Sequence, residues 1–340
     1  MPTFIGLDLA WTTKNESGIC WLEGDSRENL RCTRLEAAVC ETAPTADEIA
    51  AIDGPVVVTI DAPVLYSQER AVEKTIARRF NKYKCPAHSP HMAYANDFTA
   101  GIDLGRALQD RNFSTYPSGL LRGDHHGRYA VEVFPHTIHV RLFGLNERLP
   151  YKRKKGRDTA YLQRAMRMYQ ELLRALLERE CPGVLSHPKV QRALDPARSR
   201  DVIGRSLKRL DDTLDGITCA VAAWLMWKDP DGWEALGDEN GYIVVPTETN
   251  TPDVVTVVPD FSSSVDLDLN HDDSVGELGV AEGEAPHLAE ATSPTLIVHN
   301  KAPGIEVQVS KSSDESTWEV RVRLESDDLS RVVSVVERLE

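Results

Sequence analysis

Three short apolar runs, each with one carboxylate inside it, stand out along the first part of the chain. They span residues 4–11, 55–63 and 129–135 and hold Asp8, Asp61 and Glu132. Runs of this length that are rich in branched residues predict buried strands. Because the runs do not alternate with polar residues, we expect both faces of these strands to be covered, as in the centre of an α/β sheet.

The remaining pattern predicts the elements around that sheet. Residues 18–22 and 30–35 predict two strands that form an antiparallel meander with the first run, and residues 241–246 predict a last short strand. Helical periodicity is found at residues 45–52, 67–83, 97–109, 161–178 and 210–224 and after residue 135. We therefore predict an α/β fold with a mixed central sheet flanked by helices.

Charge divides the chain into parts. The net charge is −14, and residues 247–340 carry 20 acidic and six basic residues, so residues 1–246 are neutral overall. We predict one domain over residues 1–246, an acidic and disordered linker over 247–292, and a small α+β unit of hairpin and helix over 293–340. The acidic C-terminal arm is expected to bind in cis or to a protein partner, and the neutral body leaves nucleic acid possible as a partner.

Composition narrows the cellular setting. No stretch approaches the roughly 20 apolar residues of a membrane span, and the first residues lack a signal-peptide pattern. The six cysteines are scattered without framework spacing, which suits a reducing compartment. We expect a cytoplasmic protein with no membrane partner.

Carboxylates are the candidate chemistry. Asp212 and Asp215 lie three apart in the predicted last helix and join Asp8, Asp61 and Glu132 as acids on buried elements. Like charges at one point would repel, and a divalent cation would remove that repulsion. Oxygen ligands suit Mg²⁺ or Mn²⁺ better than zinc. Two purely structural explanations remain open. Asp8 could cap a turn, and the helix dipole favours aspartates in the first turn of a helix.

Two further segments could carry function. Residues 151–157 contain Lys152, Arg153, Lys154 and Lys155, which would either form a solvated loop or contact a nucleic-acid backbone. Cys85, His88 and His91 have spacing that could contribute to a zinc site, although a plain lid loop is the favoured interpretation.

Several of these motifs carry a family resemblance. Residues 6–11 (GLDLAW), 60–63 (IDAP), 132–135 (EVFP), 151–152 (YK) and 211–216 (DDTLDG) together resemble the family called domain of unknown function 429, which is described as RNase H-like nucleases. The resemblance covers residues 1–246 and implies an RNase H-like fold. By similarity to RuvC-type resolvases it implies Asp8, Asp61, Asp212 and Asp215 as metal ligands, with Glu132 as an outer ligand or base. Residues 247–340 depart from the family pattern.

The resulting hypothesis is a divalent-metal-dependent nuclease that uses a carboxylate-bound metal pair to hydrolyse phosphodiester bonds. The alternative is a catalytically inactive RNase H-like module that binds nucleic acid or a nucleotide and holds a structural cation. Phosphoryl transfer on a small nucleotide is a third possibility, which no glycine-rich phosphate loop supports.

Overall fold

A computed structural model describes residues 1–10, 12, 14–87, 99–252, 254–258, 261, 297–299, 305–311 and 318–324. The strands are β1 (Thr3–Asp8), β2 (Glu16–Glu23), β3 (Arg31–Val39), β4 (Val56–Ile60), β5 (Arg128–Glu132), β6 (Trp233–Asp238), β7 (Gly241–Pro246), β8 (Val254–Thr256), β9 (Ile297–His299), β10 (Ile305–Lys311) and β11 (Trp318–Leu324). The α-helices are α1 (Thr42–Ala50), α2 (Val72–Phe80), α3 (Ala100–Gln109), α4 (Pro135–Leu142), α5 (Thr159–Glu180), α6 (Pro188–Ala193), α7 (Pro196–Asp201) and α8 (Gly204–Lys228).

The central sheet has five strands in the order β3-β2-β1-β4-β5. β1, β4 and β5 run parallel, whereas β2 is antiparallel to both β1 and β3. All five residues of β4 are buried, as expected for an apolar run without alternation. The mixed sheet flanked by helices, with a meander followed by two parallel strands, confirms the predicted fold class.

The long helix α8 covers the sheet at unusually close range. A Cβ added to Gly6 of β1 would lie 2.1 Å from the backbone nitrogen of Ala220, and one added to Gly18 of β2 would lie 1.7 Å from the backbone oxygen of Asp212. Only glycine permits such an approach of helix backbone to strand backbone. The glycines of β1 and β2 therefore set the depth at which α8 lies on the sheet.

The structure corrects the predicted start of this helix. α8 begins at Gly204, six residues before the predicted Leu210, because the polar residues between them continue the helix with Leu207 buried. Asp211, Asp212 and Asp215 therefore lie well inside the helix. The helix dipole, which acts within the first turn, does not account for them.

A second, smaller core lies beside the sheet. It contains Val72, Ile76, Phe80, Cys85, Val140, Leu236, Ile243 and Val245. β7 matches the predicted last strand and pairs with β6, a strand that was not predicted from the sequence. Cys85 is fully buried in this core, and the other two members of the zinc hypothesis, His88 and His91, lie outside the described residues.

The chain beyond residue 246 continues along the body for a short distance. Val258 and Phe261 are buried in the main core, and β8 pairs with β9. β10 and β11 form the antiparallel hairpin pair predicted for the C-terminal unit, and the helix predicted after them lies outside the described residues. The three-part division of the chain stays a prediction. Among the described helices, none has the length and apolar character needed to cross a bilayer.

Candidate active site

Three carboxylates from distant parts of the chain meet at one edge of the sheet. Asp8 ends β1, and Asp61 directly follows β4, where its N–H donates to the carbonyl oxygen of Leu7 at 2.8 Å. Asp215 projects from the middle of α8 and is fully buried. One oxygen from each carboxylate lies within 4.8 Å of the other two. The parallel pairing of β1 with β4 brings the first two acids together, and the glycine contacts of α8 bring the third.

Two more acids of α8 border this group. Asp211 and Asp212 are both buried, and burial raises the pKa of Asp211 to about 7 and that of Asp212 above its usual value. The charge of Asp212 in turn raises the pKa of Asp8. The Lys208 ammonium, one helical turn before Asp212, contacts the Asp212 carboxylate and lies 3.6 Å from Asp211 Oδ2. Asp212 therefore lies beside the three-carboxylate group, already paired with a lysine.

Lys152 lies inside the acidic cluster. Its Nζ is 2.8 Å from Asp211 Oδ1, contacts Asp215 Oδ2 and lies 4.0 Å from Asp8 Oδ2. Burial would lower the pKa of this ammonium, but Asp211 and Asp215 raise it well above its usual value, so Lys152 remains charged. From the sequence, Lys152 was expected either in a solvated loop or against a nucleic-acid backbone. In the structure its side chain is directed towards Asp8, Asp211 and Asp215, because three carboxylates attract the ammonium more strongly than solvent does.

Asp215 also accepts hydrogen bonds from two buried tyrosines. Tyr151 Oη donates to Asp215 Oδ1 at 2.8 Å, and Tyr169 Oη donates to the same oxygen at 2.9 Å. The Tyr169 hydroxyl also forms hydrogen bonds with Thr218 Oγ1 at 2.7 Å and His139 Nε2 at 2.8 Å. Burial lowers the pKa of His139 to about 4, so this imidazole is neutral at pH 7. The network fixes the orientation of the Asp215 carboxylate.

The carboxylates differ in protonation behaviour. Burial raises the pKa of Asp8 to about 7 and, together with the charge of Asp8, raises the pKa of Asp61 well above its usual value. Burial alone would also raise the pKa of Asp215, but Lys152 holds it at about 2. Asp215 is therefore ionised at neutral pH, whereas for Asp8 and Asp61 the effect of burial outweighs the opposing charge of Lys152.

Glu132 ends β5 at the same edge of the sheet but has a different partner. Arg70 Nη2 lies 2.6 Å from Glu132 Oε1, and Arg70 Nη1 lies 3.0 Å from Oε2. Oε2 also accepts a hydrogen bond from the N–H of Val64. Burial raises the pKa of Glu132 to about 7 against the opposing effect of Arg70. This fork-to-fork pair anchors the loop after β4, and Glu132 is not part of the three-carboxylate group.

A cavity of about 1010 Å³ opens over the acids. Asp8, Asp61, Glu132, Asp212 and Asp215 all line it. Basic side chains line it as well, namely Lys14, Arg148, Lys152, Arg153, Lys154, Arg205, Lys208 and Arg209. Arg153 and Lys154 are exposed, so these two residues of the predicted basic segment are free to face a ligand in the cavity, while Lys155 is exposed but does not line it.

The acids fit a hard divalent cation. Asp8 Oδ2 is buried and accepts no hydrogen bond among the described residues. An unsatisfied buried carboxylate oxygen is costly, and a cation would satisfy it. Oxygen-only ligands of this kind are those that Mg²⁺ and Mn²⁺ prefer.

Sequence reasoning missed the residues that organise Asp215. Tyr169 was assigned to an apolar helix stripe, and Lys152 to a basic loop. Tyr169 is fully buried, and a buried tyrosine requires a partner for its hydroxyl, which is the signal that could have singled it out. For Lys152, the local sequence gives no such signal, since its partners are about 60 residues away.

Comparison with known proteins gives a family. No curated protein matches the sequence. The crystal structure of the yeast mitochondrial Holliday junction resolvase Ydc2 aligns with 66% of this chain and 78% of its own, at 8% identity and a TM-score of 0.31, a likeness too distant to support any argument. Residues 6–231 match the family described as protein of unknown function DUF429. Since this match spans well over half of the 340 residues, the chain belongs to the DUF429 family, as its motifs had indicated.

Proposed function

We propose that this protein is a divalent-metal-dependent nuclease that hydrolyses phosphodiester bonds. The observation that carries the proposal is the convergence of Asp8, Asp61 and Asp215 within 4.8 Å at the floor of an open cavity, with a buried oxygen of Asp8 left unsatisfied. These acids come from three elements that are far apart in sequence, so a chance cluster of surface carboxylates is a poor explanation for their convergence.

Asp8 and Asp61 would hold Mg²⁺ or Mn²⁺, with Asp215 and Asp212 beside them. An ion there would supply Lewis-acid activation of a phosphate group and a water of lowered pKa. Asp8 and Asp61 would bind the ion as anions, since a cation reverses the burial effect that raises their pKa values. Asp215, held ionised by Lys152 and oriented by Tyr151, would keep the cluster negative.

The cavity favours a substrate that carries phosphates. Its acidic floor would repel an anion, but the basic side chains around it would attract one, and Arg153 and Lys154 are exposed to solvent. An open cavity of this size suits an extended chain of nucleotides. These features support nucleic acid as the substrate class.

The second candidate is an inactive nucleic-acid-binding module in which the acids hold a structural cation. The pairing of Asp212 with Lys208 and of Glu132 with Arg70 favours it, because both acids are already neutralised without an ion. The two candidates differ in whether bound nucleic acid is cut.

The test is Mn²⁺-dependent cleavage of branched DNA, single-stranded DNA and RNA–DNA hybrids by the wild type and by Asp8→Asn. We expect Asp8→Asn to lower the cleavage rate by about 100-fold or more, since even outer-sphere partners of a metal contribute roughly 10- to 100-fold. Asp53→Asn is the matched control, because Asp53 is exposed and precedes β4 at the end opposite Asp61. It should cleave as the wild type does.

Equal cleavage by wild type and Asp8→Asn would rule out this site. Binding of nucleic acid without cleavage of any substrate, in either Mg²⁺ or Mn²⁺, would favour the inactive module.

A further inference from the structure

We propose that the Lys152 ammonium serves as the second cation of this site, so that the cluster binds one divalent ion where its acids would otherwise hold two. This inference rests on the proposed function and deepens it, since it specifies how many ions the site takes. Lys152 would act as a positioning residue that neutralises one half of the cluster.

The contacts of Lys152 are those of a bound cation. Its Nζ contacts Asp211 and Asp215, one turn apart on α8, and lies 4.0 Å from Asp8 Oδ2. The ammonium also lies 5.1 Å from the ring centre of Tyr151, within the range of a cation–π contact. If the lysine left this position, the buried carboxylates around it would repel each other without a compensating positive charge.

Asp215 has little capacity left for an ion. Its Oδ1 accepts hydrogen bonds from Tyr151 and Tyr169, and its Oδ2 accepts one from Lys152 and shares the single Tyr151 hydroxyl proton, with Tyr151 Oη 3.1 Å away. A carboxylate offers about four acceptor sites, so these contacts nearly fill them. A metal bound through Asp215 would have to displace a tyrosine or the lysine.

Asp8 and Asp61 are in the opposite situation. No ion pair within hydrogen-bond distance engages either carboxylate among the described residues, and Asp8 Oδ2 lacks a hydrogen-bond donor. The half of the cluster formed by Asp8 and Asp61 is therefore open to one ion. The half formed by Asp211 and Asp215 already contains a positive charge.

Electrostatic repulsion prevents the Lys152 ammonium and a second divalent ion from occupying the cluster together. A second divalent ion between Asp8 and Asp215 would lie close to the Lys152 ammonium, and like charges at such short range repel strongly away from bulk water. Removing the lysine charge should free this position. The number of bound ions, which is independent of catalysis, therefore reports the role of Lys152.

The experiment counts Mn²⁺ bound to the full-length protein, from the electron paramagnetic resonance signal of free Mn²⁺ during titration. We expect one ion per chain for the wild type and two for Lys152→Met. Lys152→Arg, which keeps the charge, should bind one. Lys155→Met is the matched control, because Lys155 is an exposed lysine of the same segment outside the cavity lining, and it should also bind one.

Two tight ions in the wild type would overturn the inference while leaving the metal-dependent nuclease in place. One ion in both wild type and Lys152→Met would also overturn it, since the lysine would then not limit the count. No bound ion in the wild type would overturn the proposed metal centre itself. If Lys152→Met fails to fold by circular dichroism, Lys152→Gln, which has a neutral polar side chain, provides the same count.

Discussion

At the scale of single residues, the orientation of Asp215 depends on hydroxyl groups buried behind the cavity. Tyr169 is the central one, because its hydroxyl donates to Asp215 and also meets Thr218 and His139. All four side chains are fully buried, so none can replace a lost partner with bulk water. The tyrosine therefore links the acidic cluster to the packing of α4 and α5.

Tyr169→Phe should destabilise the protein by about 1–3 kcal/mol, the usual cost of leaving buried polar groups unpaired. The measurement is the free energy of unfolding in urea. Tyr161→Phe is the matched control on the same helix: Tyr161 is half-buried, and its hydroxyl makes no hydrogen bond among the described residues, so the change should be within about 0.5 kcal/mol. Equal losses in the two variants would contradict a structural role for the Tyr169 hydroxyl.

The residue scale also shows what a sequence can reveal about such a site. Asp8 and Asp61 were predictable, because an acid within an apolar run is a local anomaly that can be read from a few neighbouring letters. The partners of Lys152 and Tyr169 were not, because they are residues of α8 that lie about 50 or 60 positions later in the chain. Asp211 was misjudged for another reason: the start of α8 was placed too late, so a first-turn explanation seemed adequate.

At the scale of elements, the site depends on how closely α8 lies on β1 and β2. Three glycines make this contact, and they differ in how much space an added methyl group would find. The nearest backbone atom to a new Cβ is at 1.7 Å for Gly18, 2.1 Å for Gly6 and 2.9 Å for Gly216. Backbone atoms cannot move aside as a flexible side chain can, so the helix itself would have to shift.

Substitution of these glycines by alanine should give a graded series. We expect the largest loss of melting temperature for Gly18→Ala, an intermediate loss for Gly6→Ala and the smallest for Gly216→Ala. Overpacking costs about 1–3 kcal/mol or more, whereas Gly216 lies inside a helix, where alanine regains up to about 1 kcal/mol of helix propensity. Thermal unfolding followed by circular dichroism measures the series, and a reversed order would show that the helix is free to adjust.

The same series should report on the site. Gly18→Ala would push away the turn of α8 that carries Asp212, so Mn²⁺ affinity should fall along with stability. The sequence pattern predicted the strands and the helix that packs on them. The distance between helix and sheet, in contrast, is known only from the packing of these glycines in the structure.

At the scale of the whole molecule, charge is unevenly distributed. Residues 1–246 are neutral overall and residues 247–340 carry the net charge of −14, which could be counted from the sequence. The clustering of basic side chains around one cavity could not be predicted from the sequence, because they come from three separate segments, around residues 14, 148–154 and 205–209. The fold thereby gives a neutral body a basic rim above an acidic floor.

This rim predicts a salt-dependent affinity for nucleic acid. The double variant Arg153→Gln/Lys154→Gln should bind a labelled oligonucleotide more weakly, and the slope of log affinity against log salt should decrease by about 1.4–1.8, the release expected for two phosphate contacts. Fluorescence anisotropy in a chelator, which prevents cleavage, measures both quantities. Arg106→Gln/Arg122→Gln removes two exposed arginines outside the cavity and changes the net charge equally, so it separates a local contact from the overall field. Identical slopes for the two double variants would mean that nucleic acid responds only to the total charge and that Arg153 and Lys154 do not contact its backbone.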